Sequence, residues 1–258
     1  MSLTPVRPGS DRPFAPQKKF ATFAYAIKLA AHQGNSQPQS SPNDGNPMSA
    51  SAAPIVFAGS ELAKPRHVCA FFHSDDEEYR VLLPFVKQGF ELGDKAIHVL
   101  NPDHHGNHVR RLAAAGIDAA AAQRSGQLEL RSSIETYLRD GRFDQDRMLE
   151  AFEEMASRTP REQFPLSRIV CHMDWAAEGR REVDALVEFE SRVNYVWSRH
   201  EDAVICVYDL AKFGGATVLD MVRTHPVVII GGILQQNPFH TPPEEFLREL
   251  RERRAKHR

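Results

Sequence analysis

The sequence predicts an α/β protein whose central sheet is mostly parallel and carries helices on both faces. Beyond Pro65, short β-branched or aromatic runs alternate with longer segments of helical period. Gly, Pro, Asn and Asp punctuate the joins between them. Strands that alternate with helices form right-handed βαβ crossovers, which place helices on both faces of a parallel sheet.

Taken in order, strands are expected at residues 67–72 (HVCAFF), 95–100 (KAIHVL), 127–131 (QLELR), 167–173 (SRIVCHM), 203–208 (AVICVY) and 227–233 (VVIIGGI). Helices are expected between them at about 77–92, 106–115, 144–157, 182–199 and 216–224, and a last one at 243–256 with Pro243 in its first turn. Ser74, Asp75 and Asp76 offer N-cap oxygens to the first helix, and Glu77 and Glu78 suit its positive end. Gly93, Gly116 and Gly214 fall at boundaries. Residues 1–65 are rich in Pro, Ser, Gln, Asn and Gly, a composition that cannot bury enough apolar surface to offset chain entropy, and are expected to be a disordered tail. Within them, residues 18–32 (KKFATFAYAIKLAAH) have one weakly amphipathic face, and Met48 is a second candidate start. The folded domain is expected to span 66–258.

Composition excludes several functions. The 258 residues carry 32 Lys and Arg against 34 Asp and Glu, a net charge of -2 that lacks the basic excess of a phosphate-backbone binder, so no direct nucleic-acid partner is expected. The three cysteines, Cys69, Cys171 and Cys206, lie far apart in apolar runs, unlike a disulfide framework or a paired-cysteine zinc site. No apolar stretch reaches the ~20 residues of a membrane span and no signal sequence leads the chain, so a cytoplasmic location is expected.

In an open parallel sheet, ligands sit beyond the carboxyl ends of the strands, near a switch in strand order. That rule selects His73, Ser74, Asp75 and Asp76 after the first strand, and Asn101, Asp103, His104 and His105 after the second. It adds Asp174 and Trp175 after the fourth strand, and Tyr208, Asp209 and Lys212 after the fifth. The ligand-binding set expected from these is His73, Ser74, Asp75, Asp174, Trp175, Tyr208 and Asp209, with the aromatics giving apolar contact and the others polar contact. Asp75 and Asp76 serve equally well as helix caps.

Catalytic signatures are missing: there is no G-x-x-x-x-G-K-[ST], G-x-G-x-x-G, G-x-S-x-G or H-E-x-x-H. The loop after the first strand reads FHSDDEE and sets carboxylates where phosphates would be repelled. No catalytic residue, cofactor or ATP hydrolysis is therefore expected. His104, His105 and His108 lie near Asp103 without a neighbouring cysteine, and no metal site is expected there or elsewhere. Cys171 and His172 face opposite layers of a buried strand. Gly214-Gly215 and Gly231-Gly232 read as tight turns or a bulge in preference to close approach to a ligand.

The runs HVCAFFHSDDEEYRVLLPFVKQGFELGDKAIHVLNPDHH, SGQLELRSSIETYLRDGRFDQDRMLEAFEEM, MDWA, LVEFESRVNYVW, VICVYDLAKFGGATVLDMVRTHPVVIIGG and NPFHTPPEEFLREL, in that order, resemble the MEDS sensory domain, named for methanogens, methylotrophs and the DcmR regulator. The resemblance covers about 66–254. It implies a signal-input domain, found alone or joined to kinase, DNA-binding or anti-sigma-related modules, that senses small organic ligands. It also implies a degenerate relative of RecA- and KaiC-like ATPases, in which the phosphate loop is lost and Asp174 falls where the ATPase's metal-assisting acid would be. The function expected is a non-enzymatic sensory or regulatory module that holds a small organic ligand or a signalling protein at the carboxyl rim of the sheet. With no output domain in the sequence, its signal is expected to pass to a separate protein or through a homo-oligomer. The alternatives are a pure interaction protein docking through its charged C-terminal helix, a cryptic hydrolase using His73, Asp75 and Asp174, and a nucleotide-binding protein.

Overall fold

A computed structural model describes residues 54–256. The segment at 18–32 and Met48 lie outside the described residues. The chain opens on a hairpin of β1 (Val56–Phe57) and β2 (Ser60–Glu61) and continues as β3 (His67–Phe72), α1 (Asp75–Leu92) and β4 (Lys95–Leu100). There follow α2 (His105–Ala114), α3 (Ala119–Arg124), β5 (Leu128–Ser132), α4 (Ser133–Tyr137), α5 (Gln145–Arg158) and β6 (Ser167–His172). The last part is α6 (Arg180–Arg192), α7 (Asn194–Trp197), β7 (Ala203–Asp209), α8 (Gly215–Thr224), β8 (Val227–Ile230), β9 (Ile233–Gln236) and α9 (Pro243–Lys256).

Seven strands form one sheet in the order β5-β4-β6-β7-β3-β8-β9. All its pairings are parallel except β8 with β9. Every residue of β3 and β6 is buried, as expected of strands covered on both faces. Alternation divides the side chains of β3, β6 and β7. Val68, Ala70, Phe72, Val170, Ile205 and Val207 face a layer containing α1, α2 and α3. Cys69, Phe71, Cys171, Cys206 and Tyr208 face a layer containing α5 to α9.

Local chemistry sets the first helix. Ser74 is its N-cap and accepts from the Glu77 N–H at 3.3 Å, while Glu77 Oε2 accepts from the His73 N–H at 2.9 Å. Four acidic residues occupy its first turn. It ends at Gly93, whose φ of +78° is the left-handed conformation a glycine C-cap supplies. Arg168 of β6, buried at 1% exposure, ties this helix to the sheet. Its Nε donates to Asp94 Oδ2 at 2.8 Å and its Nη1 to the Phe85 carbonyl at 2.7 Å.

Three elements depart from expectation. The run at 227–233 is two strands: Gly231 and Gly232, with φ of +60° and +76°, turn the chain so that Ile230 pairs with Ile233. The helix expected at 182–199 divides at Val193 into α6 and α7, and α3 and α4 were not expected at all. The β1–β2 hairpin precedes the boundary expected at residue 65. Ile55, Phe57 and Leu62 are nonetheless buried, and the Phe57 ring packs 4.5 Å from that of Phe85. The segment's small and proline-flanked composition hid three well-placed apolar residues.

Candidate functional site

β3 and β7 are neighbours, yet β3 is followed by α1 on one face of the sheet and β7 by α8 on the other. Diverging connections open a crevice at the carboxyl ends of the strands, the place where open α/β sheets bind ligands. Phe72, Ser74, Asp75 and Glu78 wall it from β3 and α1. His104 comes from the turn after β4, His172 and Asp174 from the end of β6, and Val207 and Asp209 from β7. The space they enclose is about 20 Å³, enough for one water.

Two ion pairs organise the crevice. Asp174, 7% exposed, accepts from Lys212 Nζ at 2.6 Å, and the same ammonium lies 3.8 Å from Asp209 Oδ2. Burial pulls the Lys212 pKa down, but the hydrogen bond and charge of Asp174 outweigh it, so the amine is held above its usual value. His172 Nδ1 donates to the Val99 carbonyl at 3.2 Å and its Nε2 to Glu78 Oε1 at 2.8 Å. Burial disfavours the imidazolium, yet Glu78 more than offsets this and the His172 pKa is raised. With Asp75, Glu78, Asp174 and Asp209 set against Lys212 and His172, the crevice carries excess negative charge. It suits hydrogen-bond donors and repels phosphate. Its hydroxyl, on Ser74, is engaged as a helix cap.

Behind the crevice lies a void of about 10 Å³, lined by Leu82, Leu83, Val86, Leu112 and Val170 together with His98, His108 and Tyr79. Glu78 and His172 line both spaces and so form the partition between them. The Tyr79 hydroxyl is 2.8 Å from His108 Nδ1, and His108 Nε2 is 2.8 Å from His98 Nδ1. The chain stops there, because His98 Nε2 is buried with no partner. Burial, reinforced by neighbouring histidines, lowers the His98 pKa to about 3 and that of His108 to about 2, so both imidazoles are neutral.

The structure brings together Ser74, Asp75, Asp174 and Asp209 of the expected set and does not bring His73, Trp175 or Tyr208 to them. His73 is exposed, and its side chain is not a wall of the crevice. Trp175 is buried at 3% exposure and stacks on Tyr137 with ring centroids 4.7 Å apart, because the 3-10 turn at Asp174–Glu178 folds it under the sheet. Tyr208 is 1% exposed and donates to Glu190 Oε1 at 2.8 Å on the opposite face. Strand alternation gives the reason: Val207 and Asp209 point to the crevice, and Tyr208 between them cannot. The expectation that these two aromatics supply apolar contact at the rim is corrected accordingly. Glu78, His172 and His98 were missed. Glu78 lies three residues beyond Asp75 on the same face of α1, and His172 ends its strand beside Asp174, so both were accessible to periodicity. His105 is exposed while His108 is buried in the Tyr79 chain, so the histidine-rich turn does not converge. The C-terminal helix, considered as a docking helix, uses its apolar residues at home: Phe246 and Leu250 are buried in the second layer.

Among the described residues, no helix is long and apolar enough to cross a membrane. Among curated proteins the chain is similar to the transcriptional repressor DcmR of Methylorubrum extorquens, 27% identical over 177 residues that make up 67% of this chain and 63% of the repressor. The chain thus spans less than two thirds of that relative. Among solved structures it is similar to a KaiC-like protein of Pyrococcus horikoshii, with a TM-score of 0.43, 12% identity, and coverage of 62% of this chain and 70% of that one. It is also similar to the flagellar accessory protein FlaH of Methanocaldococcus jannaschii, with a TM-score of 0.38, 10% identity, and coverage of 65% and 74%. Residues 66–226 match the profile of the methanogen/methylotroph, DcmR sensory domain, and the chain belongs to this MEDS family.

Proposed function

We propose that this chain is a non-enzymatic sensory module in which a small organic ligand enters the crevice, displaces Glu78 and His172, the partition, and expands the void behind it into its binding site. The observation that carries the reading is His98 Nε2, a buried polar atom without a partner beside an apolar void. An unpaired buried polar group costs about 1–3 kcal/mol, which a ligand that hydrogen-bonds to it would recover. The ligand is therefore a compact molecule with one polar group and a short apolar body. Displacing the His172–Glu78 pair would alter the β6 and α1 ends, and with them the surface offered to an output protein. Regulatory kinship with a transcriptional repressor supports this direction of signal.

Ligand-observed NMR with a panel of two- to four-carbon alcohols, ketones and amides tests the reading. At least one should bind the full chain and lose tenfold or more affinity on His98→Leu substitution. A panel with no binder, or a binder indifferent to His98, contradicts it. The interaction-module reading draws on exposed Ile230, Ile233 and Phe239 near the β8–β9 edge, and a partner captured through that edge with the void empty would favour it.

A further inference from the structure

On the face of the sheet opposite the crevice, four side chains converge from four elements. His67 begins β3, Cys206 lies within β7, Glu190 projects from α6, and His225 follows α8. All four are buried, with 0% exposure for His67, Glu190 and His225. One ligand atom from each lies within 4.8 Å of all the others. We propose that His67, Glu190, Cys206 and His225 bind one Zn²⁺ ion in a closed, four-coordinate site.

The tautomers are fixed from outside the cluster. Asn194 Nδ2 donates to the carbonyls of Glu190, Ser191 and Thr224 at 3.0, 3.1 and 2.8 Å. Its Oδ1 is thereby the atom that faces His67 Nδ1 at 3.0 Å, so that nitrogen carries a proton. His225 Nδ1 meets the Met221 carbonyl at 2.8 Å and must donate as well. Each neutral imidazole then turns the lone pair of Nε2 into the cluster, the arrangement by which outer hydrogen bonds orient metal-ligating histidines. His225 Nε2 makes no hydrogen bond although it is buried 3.3 Å from Glu190 Oε2. Tyr208 occupies the other carboxylate oxygen, Oε1, and leaves Oε2 for the centre.

The spacings fit a metal. Bonds of about 2.0–2.1 Å to nitrogen and oxygen and 2.3 Å to sulfur give tetrahedral edges of about 3.3–3.6 Å. Glu190 Oε2 lies 3.2 Å from His67 Nε2 and 3.3 Å from His225 Nε2. Cys206 Sγ lies 3.5 Å from His67 Nε2 and 3.7 Å from Glu190 Oε2. Charge fits as well. A carboxylate and a thiolate neutralise a dication, two neutral imidazoles complete the shell, and the thiol proton leaves to solvent on binding. A net-neutral centre is what a fully buried site requires. Mixed nitrogen, sulfur and oxygen donors suit Zn²⁺ better than Ca²⁺ or Mg²⁺, which take oxygen shells. Four protein ligands leave no open position, so the ion is a clamp joining β3, β7, α6 and the α8–β8 turn, separate from the crevice.

Because the ligands are buried, the test is refolding of the full chain from denaturant after chelation, with one equivalent of Co²⁺ or Zn²⁺. The expected result is one Co²⁺ per chain, with a thiolate-to-cobalt band in the near ultraviolet and the intense visible bands of tetrahedral cobalt, all displaced by Zn²⁺. Cys206→Ser should abolish the near-ultraviolet band and weaken Zn²⁺ binding tenfold or more. Cys171→Ala should retain both. Wild-type protein that refolds to the same thermal midpoint with or without Zn²⁺, and shows no cobalt bands, would overturn the proposal. So would a thiolate band that survives Cys206→Ser and vanishes in Cys171→Ala.

Discussion

A methyl group added at Gly89 would lie 2.6 Å from Arg168 Cδ and 2.8 Å from its Nε. Replacing a helical glycine by alanine ordinarily stabilises by up to about 1 kcal/mol. Here the overlap falls on a guanidinium already committed to Asp94 and the Phe85 carbonyl, so Gly89→Ala should lower the denaturant midpoint. Asp94→Ala should cost more, about 3–5 kcal/mol, because it leaves the Arg168 charge buried and unpaired. An increase in stability from either substitution would refute this account of the α1–β6 contact. The crevice was partly legible at the same scale. Position after a strand finds Ser74, Asp75, Asp174 and Asp209, but the same rule takes in Trp175, which a 3-10 turn folds away, and Tyr208, which strand alternation turns to the other face. Nothing in sequence announces that the last nitrogen of a histidine chain is left without a partner, since that depends on three elements meeting.

Strand β4 and helices α1 and α2 meet through His98, Tyr79 and His108, and this gives acid sensitivity a structural source. Both histidines have folded pKa values well below the unfolded value near 6.5. The unfolded chain therefore binds more protons below pH 6.5, and stability falls as pH drops from there toward 3, by about 1.4 kcal/mol per unit per histidine. His172 works in the opposite sense: its raised pKa contributes stability that is present below pH 6.5 and lost as pH rises through the folded value. Urea unfolding between pH 5 and 6.5, above most carboxylate titration, should show the decline, and His98→Leu should reduce its slope. A flat profile would mean that these imidazoles are protonated in the fold. At this scale six parallel strands were readable, five from continuous buried apolar runs and β5, LELRS, from leucines alternating with charged residues. The β8–β9 hairpin was read as one strand because VVIIGGI is apolar on both sides of its turn, and only the left-handed φ of Gly231 and Gly232 divides it.

The whole molecule extends further toward its N-terminus than composition suggested. A truncated chain beginning at residue 54 should melt like the full chain, whereas one beginning at 61 loses Ile55 and Phe57 from the core. Each buried large apolar side chain contributes about 2–5 kcal/mol, so the shorter chain should melt substantially lower. Equal melting of the two would show the hairpin to be ornamental. Purified protein should release no phosphate from ATP above a buffer control, because the carboxylate-rich loop after β3 offers neither a glycine cradle nor a lysine to the phosphates. Turnover abolished by Asp174→Ala would reverse that expectation. Central to the sensory reading is a small molecule held in the void behind the crevice once Glu78 and His172 have moved. Native mass spectrometry of the chain purified from its own host, beside its His98→Leu variant, addresses it most directly. An organic adduct, beyond any metal, is expected on the wild-type chain and lost from the variant. Wild-type protein without such an adduct, or the same adduct on both chains, would contradict it.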